Sequence, residues 1–166
     1  MVQSANFDKI VLSKRLGTIC RFILPGYPLY DICSDHGLVG LYARSIRLVP
    51  EIFLVDKSAK ATSSLKARCD RYLPEDSMRH IICVDARKWQ LLHSRATVVI
   101  SGVGGATIGE ILDTLFAEMP MNHRLILSPF KTVQSLRRYI ADRGWKEIHN
   151  EAVAEGRRLR DIIVVE

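Results

Sequence analysis

The 166 residues contain no CxxC pair, no GxSxG elbow, no low-complexity tract and no internal repeat. Each absence closes a class. The four cysteines, Cys20, Cys33, Cys69 and Cys83, are too scattered for a zinc ribbon, and no His stands at ligand spacing from them. They read as free thiols of a reducing compartment, the cytoplasm, and not as a disulfide framework. Without GxSxG, no serine reads as a hydrolase nucleophile. No apolar run approaches the roughly 20 residues of a membrane span, and no signal-peptide pattern precedes the first expected helix. Neither a membrane nor a metal is expected among the partners.

What is present fits one domain over residues 1–166. Hydrophobic residues make up 48% and charged residues 25%, an ordinary balance for a globular chain. A chain of this length buries roughly 70% of its unfolded surface, so it folds without disulfide or metal. Lys and Arg number 24 against 18 Asp and Glu, a net charge of +6. That excess fits an anionic partner, nucleic acid foremost, and equally a well-solvated surface.

The spacing of Ile10, Leu12, Leu16, Ile19 and Ile23 predicts a helix over 7–22, closed by Pro25-Gly26. Strands are expected at 28–32, 51–55, 80–84, 97–100 and 124–127. They alternate with helices at 38–47, 58–72, 105–117 and 133–143, the last closed by Gly144. Residues 145–153 and 159–165 predict an antiparallel hairpin around Glu155-Gly156-Arg157. Strands alternating with helices predict an α/β fold with a mainly parallel sheet.

Ligands of such a sheet bind outside the carboxyl ends of its strands. The first end, Asp31-Ile32-Cys33-Ser34-Asp35-His36-Gly37, is a strand-to-helix turn that aims backbone N–H groups at a ligand. Asp31, Asp56 and Asp85 each end a strand, and Asp56 lies near the acid spacing that marks ribose recognition. Carboxylates there suit ribose hydroxyls, an exocyclic amine and a cationic amino group. Any one of the three also reads as a turn former or helix cap. Ser101-Gly102-Val103-Gly104-Gly105 begins like a phosphate-binding fingerprint, yet the next strand ends in Leu127-Ser128-Pro129, without an acid. These glycines either let a flat ligand approach the backbone or make a plain tight turn. His36 reads as a base, a donor or a cap. Arg157, Arg158 and Arg160 form either an anion contact or a solvated turn.

Four segments, taken in order, resemble a known family. They are Leu12-Ser13-Lys14-Arg15-Leu16, Asp31-Ile32-x-Ser34-Asp35-His36, Ile100-x-Gly102-x-Gly104-Gly105 and Ile162-Ile163-Val164-Val165. They resemble the bacterial TrmK-type tRNA (adenine(22)-N(1))-methyltransferases, from about Leu12 onward. The resemblance implies a Rossmann-like class I methyltransferase fold, a seven-stranded, mainly parallel sheet with its last strand antiparallel and helices on both faces. It implies S-adenosylmethionine (SAM) as cofactor, S-adenosylhomocysteine (SAH) as product, and tRNA as the partner methylated at an adenine N1. Cofactor contacts implied are Asp31, Cys33, Ser34, Asp35 and Gly37 at the tip, Asp56 and Lys57, Asp85 and Ala86, and Ser101, Gly102 and Gly104. Catalytic candidates are Asp35, His36, Gly102 and Pro129; on the substrate side stand Arg15, Gly105, Phe130, Arg157 and Arg158.

The chain departs from the family at Cys33, where Gly is usual. A side chain there is accommodated if φ stays negative. Phe130 replaces the Asn that commonly follows the proline, exchanging an amide hydrogen bond for stacking on a base. The family carries a coiled-coil extension after the last strand, and none is expected here. These departures keep open a small-molecule or protein acceptor, and a non-catalytic SAM- or RNA-binding module.

Overall fold

The apolar runs form β1 (Leu29–Ile32), β2 (Ile52–Asp56), β3 (Arg79–Cys83), β4 (Thr97–Ser101) and β5 (Arg124–Ser128) in a computed structural model that describes residues 10–34, 36–117 and 120–166. These five are parallel. The terminal hairpin supplies β6 (Glu147–Glu155) and β7 (Arg158–Val165), and β7 inserts antiparallel between β5 and β6. One sheet results, in the order β3-β2-β1-β4-β5-β7-β6. β6 thus runs with β5, and the hairpin tip comes to the carboxyl ends of the parallel strands.

Helices α1 (Lys14–Cys20), α2 (Leu38–Ser45) and α3 (Ala59–Tyr72) cover one face; α4 (Gly105–Leu115) and α5 (Val133–Asp142) cover the other. Burial on both faces explains why Val98-Val99-Ile100 and Leu125-Ile126-Leu127 are continuously apolar. Each such side chain contributes roughly 1.5–3 kcal/mol when fully buried. Strand alternation sends Tyr30 and Ile32 toward α4 and sends Leu29 toward the α1 side. Asp31 lies between Tyr30 and Ile32 and so shares the α1 side.

The first helix is shorter than its spacing predicts. It starts at Lys14, because the Ser13 hydroxyl accepts the Leu16 N–H at 3.3 Å and caps it there. Ile10 and Leu12, two residues apart, cannot share a helical face, and both precede the helix. Residues 7–9 of the expected helix lie outside the described residues. A 3-10 turn at Ala86–Lys88 was not expected. Among the described residues no helix is long and apolar enough to cross a membrane.

Candidate functional site

The tip after β1 folds over its neighbour: the Cys33 and Ser34 N–H groups both donate to the Val55 carbonyl, at 2.9 and 3.3 Å. That places Cys33 at φ +59. The condition for accommodating a side chain there, a negative φ, is not met. The backbone has a glycine's conformation, and the side chain costs roughly 1–2 kcal/mol to hold in it. The half-buried thiol is pushed up to about 11, first by burial and then by the Asp56, Asp31 and Asp85 charges, with Lys57 opposing. It is protonated, not nucleophilic. Gly37, at φ +61, starts α2, and a Cβ there would run into the Leu65 side chain. Asp35 lies outside the described residues; His36 is exposed at the cleft.

Asp31 is 3% exposed, and its Oδ2 accepts the Gly40 N–H at 3.1 Å. Burial pushes its carboxyl up to about 7; the Gly40 bond and the Arg15 charge oppose, and Asp56 adds. Asp56, at the end of β2, accepts the Ser58 N–H at 2.9 Å and lines an open recess of about 510 Å³ with His36, Ser58 and Ser64. Lys57 beside it is exposed. Asp85 is already engaged: Oδ2 accepts from Arg87 Nη2 at 2.8 Å, and Oδ1 from the Arg87 N–H at 3.0 Å. These bonds hold its carboxyl far below the usual range. It caps the 3-10 turn, whose Ala86 is buried in the core.

The loops after β4 and β5 are laced together. Phe130 N–H donates to the Val103 carbonyl at 3.1 Å, and Gly105 N–H to the Lys131 carbonyl at 3.0 Å. A Cβ at Gly105 would strike the Thr132 carbonyl. Gly105 therefore serves this loop contact. Gly102, at φ +80, has open space where a Cβ would stand, and Ser101 and Gly102 border the cleft. Gly104 starts α4. Pro129 is buried, whereas Phe130 is 44% exposed, with Lys131 Nζ 5.4 Å from its ring centroid. Arg157 and Arg158 are exposed on the hairpin tip.

Glu155, joined to this region, was not among the sequence-based site candidates; Arg160, read there as an anion contact or part of a solvated turn, is an ion-pair partner instead. Glu155 accepts from Arg15 Nε at 2.6 Å and from Arg160 Nε at 3.1 Å, and Arg160 Nη1 donates to the Phe130 carbonyl at 2.9 Å. The available signal was alternation: Val153 and Ile162 pack on the Asp31 side of the sheet, so Glu155 and Arg160, two residues from each, share it.

A cleft of about 150 Å³ brings together Arg15, Asp31, Ser34, His36 and Ser101-Gly102. The buried Ser34 hydroxyl has no hydrogen-bond partner among the described residues. An orphaned hydroxyl and a buried carboxyl raised by its burial suit the amino-acid end of a ligand, and the Asp56 recess suits a ribose. The residues fit SAM. A larger hollow of about 760 Å³, by Tyr42, Arg47 and Tyr72, contains none of these groups. Among the described residues no group of three or more His, Cys, Asp or Glu could hold a metal ion.

The sequence matches the methyltransferase-domain family over residues 12–163. No curated protein matches it. The solved m1A22 tRNA methyltransferase TrmK of B. subtilis is similar at a TM-score of 0.85 and 23% identity, over 95% of this chain and 67% of that one. TrmK of M. capricolum, in complex with SAH, gives 0.81 and 18% over 93% and 68%. Magnesium protoporphyrin IX methyltransferase of Synechocystis, with bound SAM, gives 0.71 and 16% over 92% and 77%. At these identities the likeness is one of fold.

Proposed function

The chain belongs to the methyltransferase-domain family, and from that premise we propose that it uses SAM to methylate the N1 of an adenine in tRNA. The carrying observation is the meeting, at one end of the sheet, of buried Asp31, the orphaned Ser34 hydroxyl and the exposed Phe130-Lys131 step. SAM, when bound, supplies a methyl group made electrophilic by a positively charged sulfur. Asp31 and Ser34 hold its amino-acid end, and Asp56 its ribose. Asp85 stays with Arg87, so it shapes the adenine end through the turn it caps.

Adenine N1 carries a lone pair that is mostly unprotonated near neutral pH. The residues need to align it and exclude water more than to remove a proton. Phe130 offers a face for stacking beside buried Pro129, and to His36, exposed at the cleft, and to Asp35, by the family resemblance alone, we assign the proton or charge of the product. Extruding a paired base costs a few kcal/mol. Lys131, Arg157 and Arg158 offset this through phosphate contacts. A tRNA substrate places the protein in the cytoplasm.

Unmodified tRNA incubated with the protein and SAM, then digested for nucleoside mass spectrometry, is expected to yield 1-methyladenosine. SAH binding without any methylated nucleoside would move the acceptor to a small molecule or protein. Loss of SAH binding as well would leave a non-catalytic module.

A further inference from the structure

The bracket Arg15–Glu155–Arg160 joins parts of the chain that are far apart in sequence. Arg15 lies on α1 and borders the cleft, and its charge acts on Asp31. Glu155 ends β6 and Arg160 lies on β7. The two arginine side chains are each 16% exposed and the Glu155 side chain 37%. Each carboxylate oxygen of Glu155 receives one guanidinium, at 2.6 and 3.1 Å. Charge-assisted bonds of this kind are stronger than neutral hydrogen bonds. Arg160 spends its second arm on the Phe130 carbonyl. The loop at Phe130 thus has two ties: its own N–H to Val103, and its carbonyl to the bracket.

Neither Glu155 nor Arg160 lines the cleft described above. Their reach is indirect, through Arg15 on one side and the Phe130 backbone on the other. We propose that Glu155 is a positioning residue that fixes the cleft wall at Arg15 and the Pro129-Phe130 acceptor loop in one rigid frame, so that the acceptor's platform is set before the acceptor arrives. The inference rests on the methyl-transfer reading for what the loop meets, and on the hydrogen bonds alone for the frame.

Two variants test it: Glu155→Gln, which removes the charge, and Arg160→Lys, which keeps a charge but cannot reach both Glu155 and the Phe130 carbonyl with one fork. Amide exchange read by mass spectrometry is expected to speed at least tenfold at Phe130 and Lys131 in both, with Val98 to Ile100 of β4 unchanged. Steady-state kinetics of Arg160→Lys are expected to show a KM for tRNA raised at least fivefold and a KM for SAM within twofold. Unchanged loop exchange in both variants overturns the frame. Faster exchange with an unchanged KM for tRNA overturns its positioning role. If Glu155→Gln fails to fold, Arg160→Lys decides on the same two readouts. If the wild-type protein methylates no tRNA, the acceptor reading fails, and loop exchange alone upholds or overturns the frame.

Discussion

Asp31 has a carboxyl whose proton equilibrium is set by burial, and this links stability to binding. Its folded value of about 7 stands above the ordinary 3.8. Between those values the folded chain keeps a proton that the unfolded chain has released, so this group's contribution to stability falls as pH rises from about 4 to 7 and is level above. A ligand ammonium prefers the ionised form. SAH affinity, by calorimetry, is therefore expected to be about tenfold weaker at pH 6 than at pH 8, and Asp31→Asn is expected to flatten the profile. A flat wild-type profile would remove Asp31 from the amino-acid end. Cys33 yields a second expectation. A β-branched residue tolerates a positive φ least, so Cys33→Val should be less stable than Cys33→Gly by about 1–2 kcal/mol in urea titration. Equal midpoints would show that the tip relaxes. Asp31 was legible as an acid ending an apolar strand. The φ of Cys33 was not, because it follows from two bonds to Val55, across the sheet.

Among the elements, strands and long helices were legible because each writes its period over many residues. Boundaries were less so. One hydroxyl, Ser13, moves the start of α1 to Lys14, and the three residues of Ala86–Lys88 are too few to show a period. The glycines opening α4 separate by environment rather than by pattern. Gly105 faces the Thr132 carbonyl, whereas Gly102 faces open space at a positive φ. Gly105→Ala must push the β5–α5 loop away, and overpacking of this kind costs about 1–3 kcal/mol. Gly102→Ala meets only backbone strain, about 1 kcal/mol. Urea midpoints are expected to rank wild type above Gly102→Ala above Gly105→Ala. The reverse order would mean that the laced loops yield more easily than the turn. The Glu155 bracket was illegible for a different reason: Arg15 and Glu155 are 140 positions apart. Only the sheet order, with β7 inserted between β5 and β6, brings them together.

At the scale of the molecule, the net charge of +6 left nucleic acid and plain solvation undivided. Placement gives the first reading more weight. The hairpin returns Arg157 and Arg158 to the carboxyl end of the sheet, the same end as Phe130 with Lys131 over its ring. Leu159 beside them is 70% exposed. Basic and apolar groups alternate along this rim, as they do where a protein tracks a phosphate backbone and meets bases between the phosphates. Each phosphate neutralised on duplex adds about −0.9 to the log–log slope of affinity against salt. Fluorescence anisotropy of labelled tRNA across a salt series is expected to lose about 0.9 of slope for each of Arg157→Ala and Arg158→Ala that removes one contact. SAH affinity should stay level in both, because neither side chain reaches the Asp31 cleft. A slope that survives both changes would assign these arginines to solvation and leave the phosphate contacts to another face of the molecule.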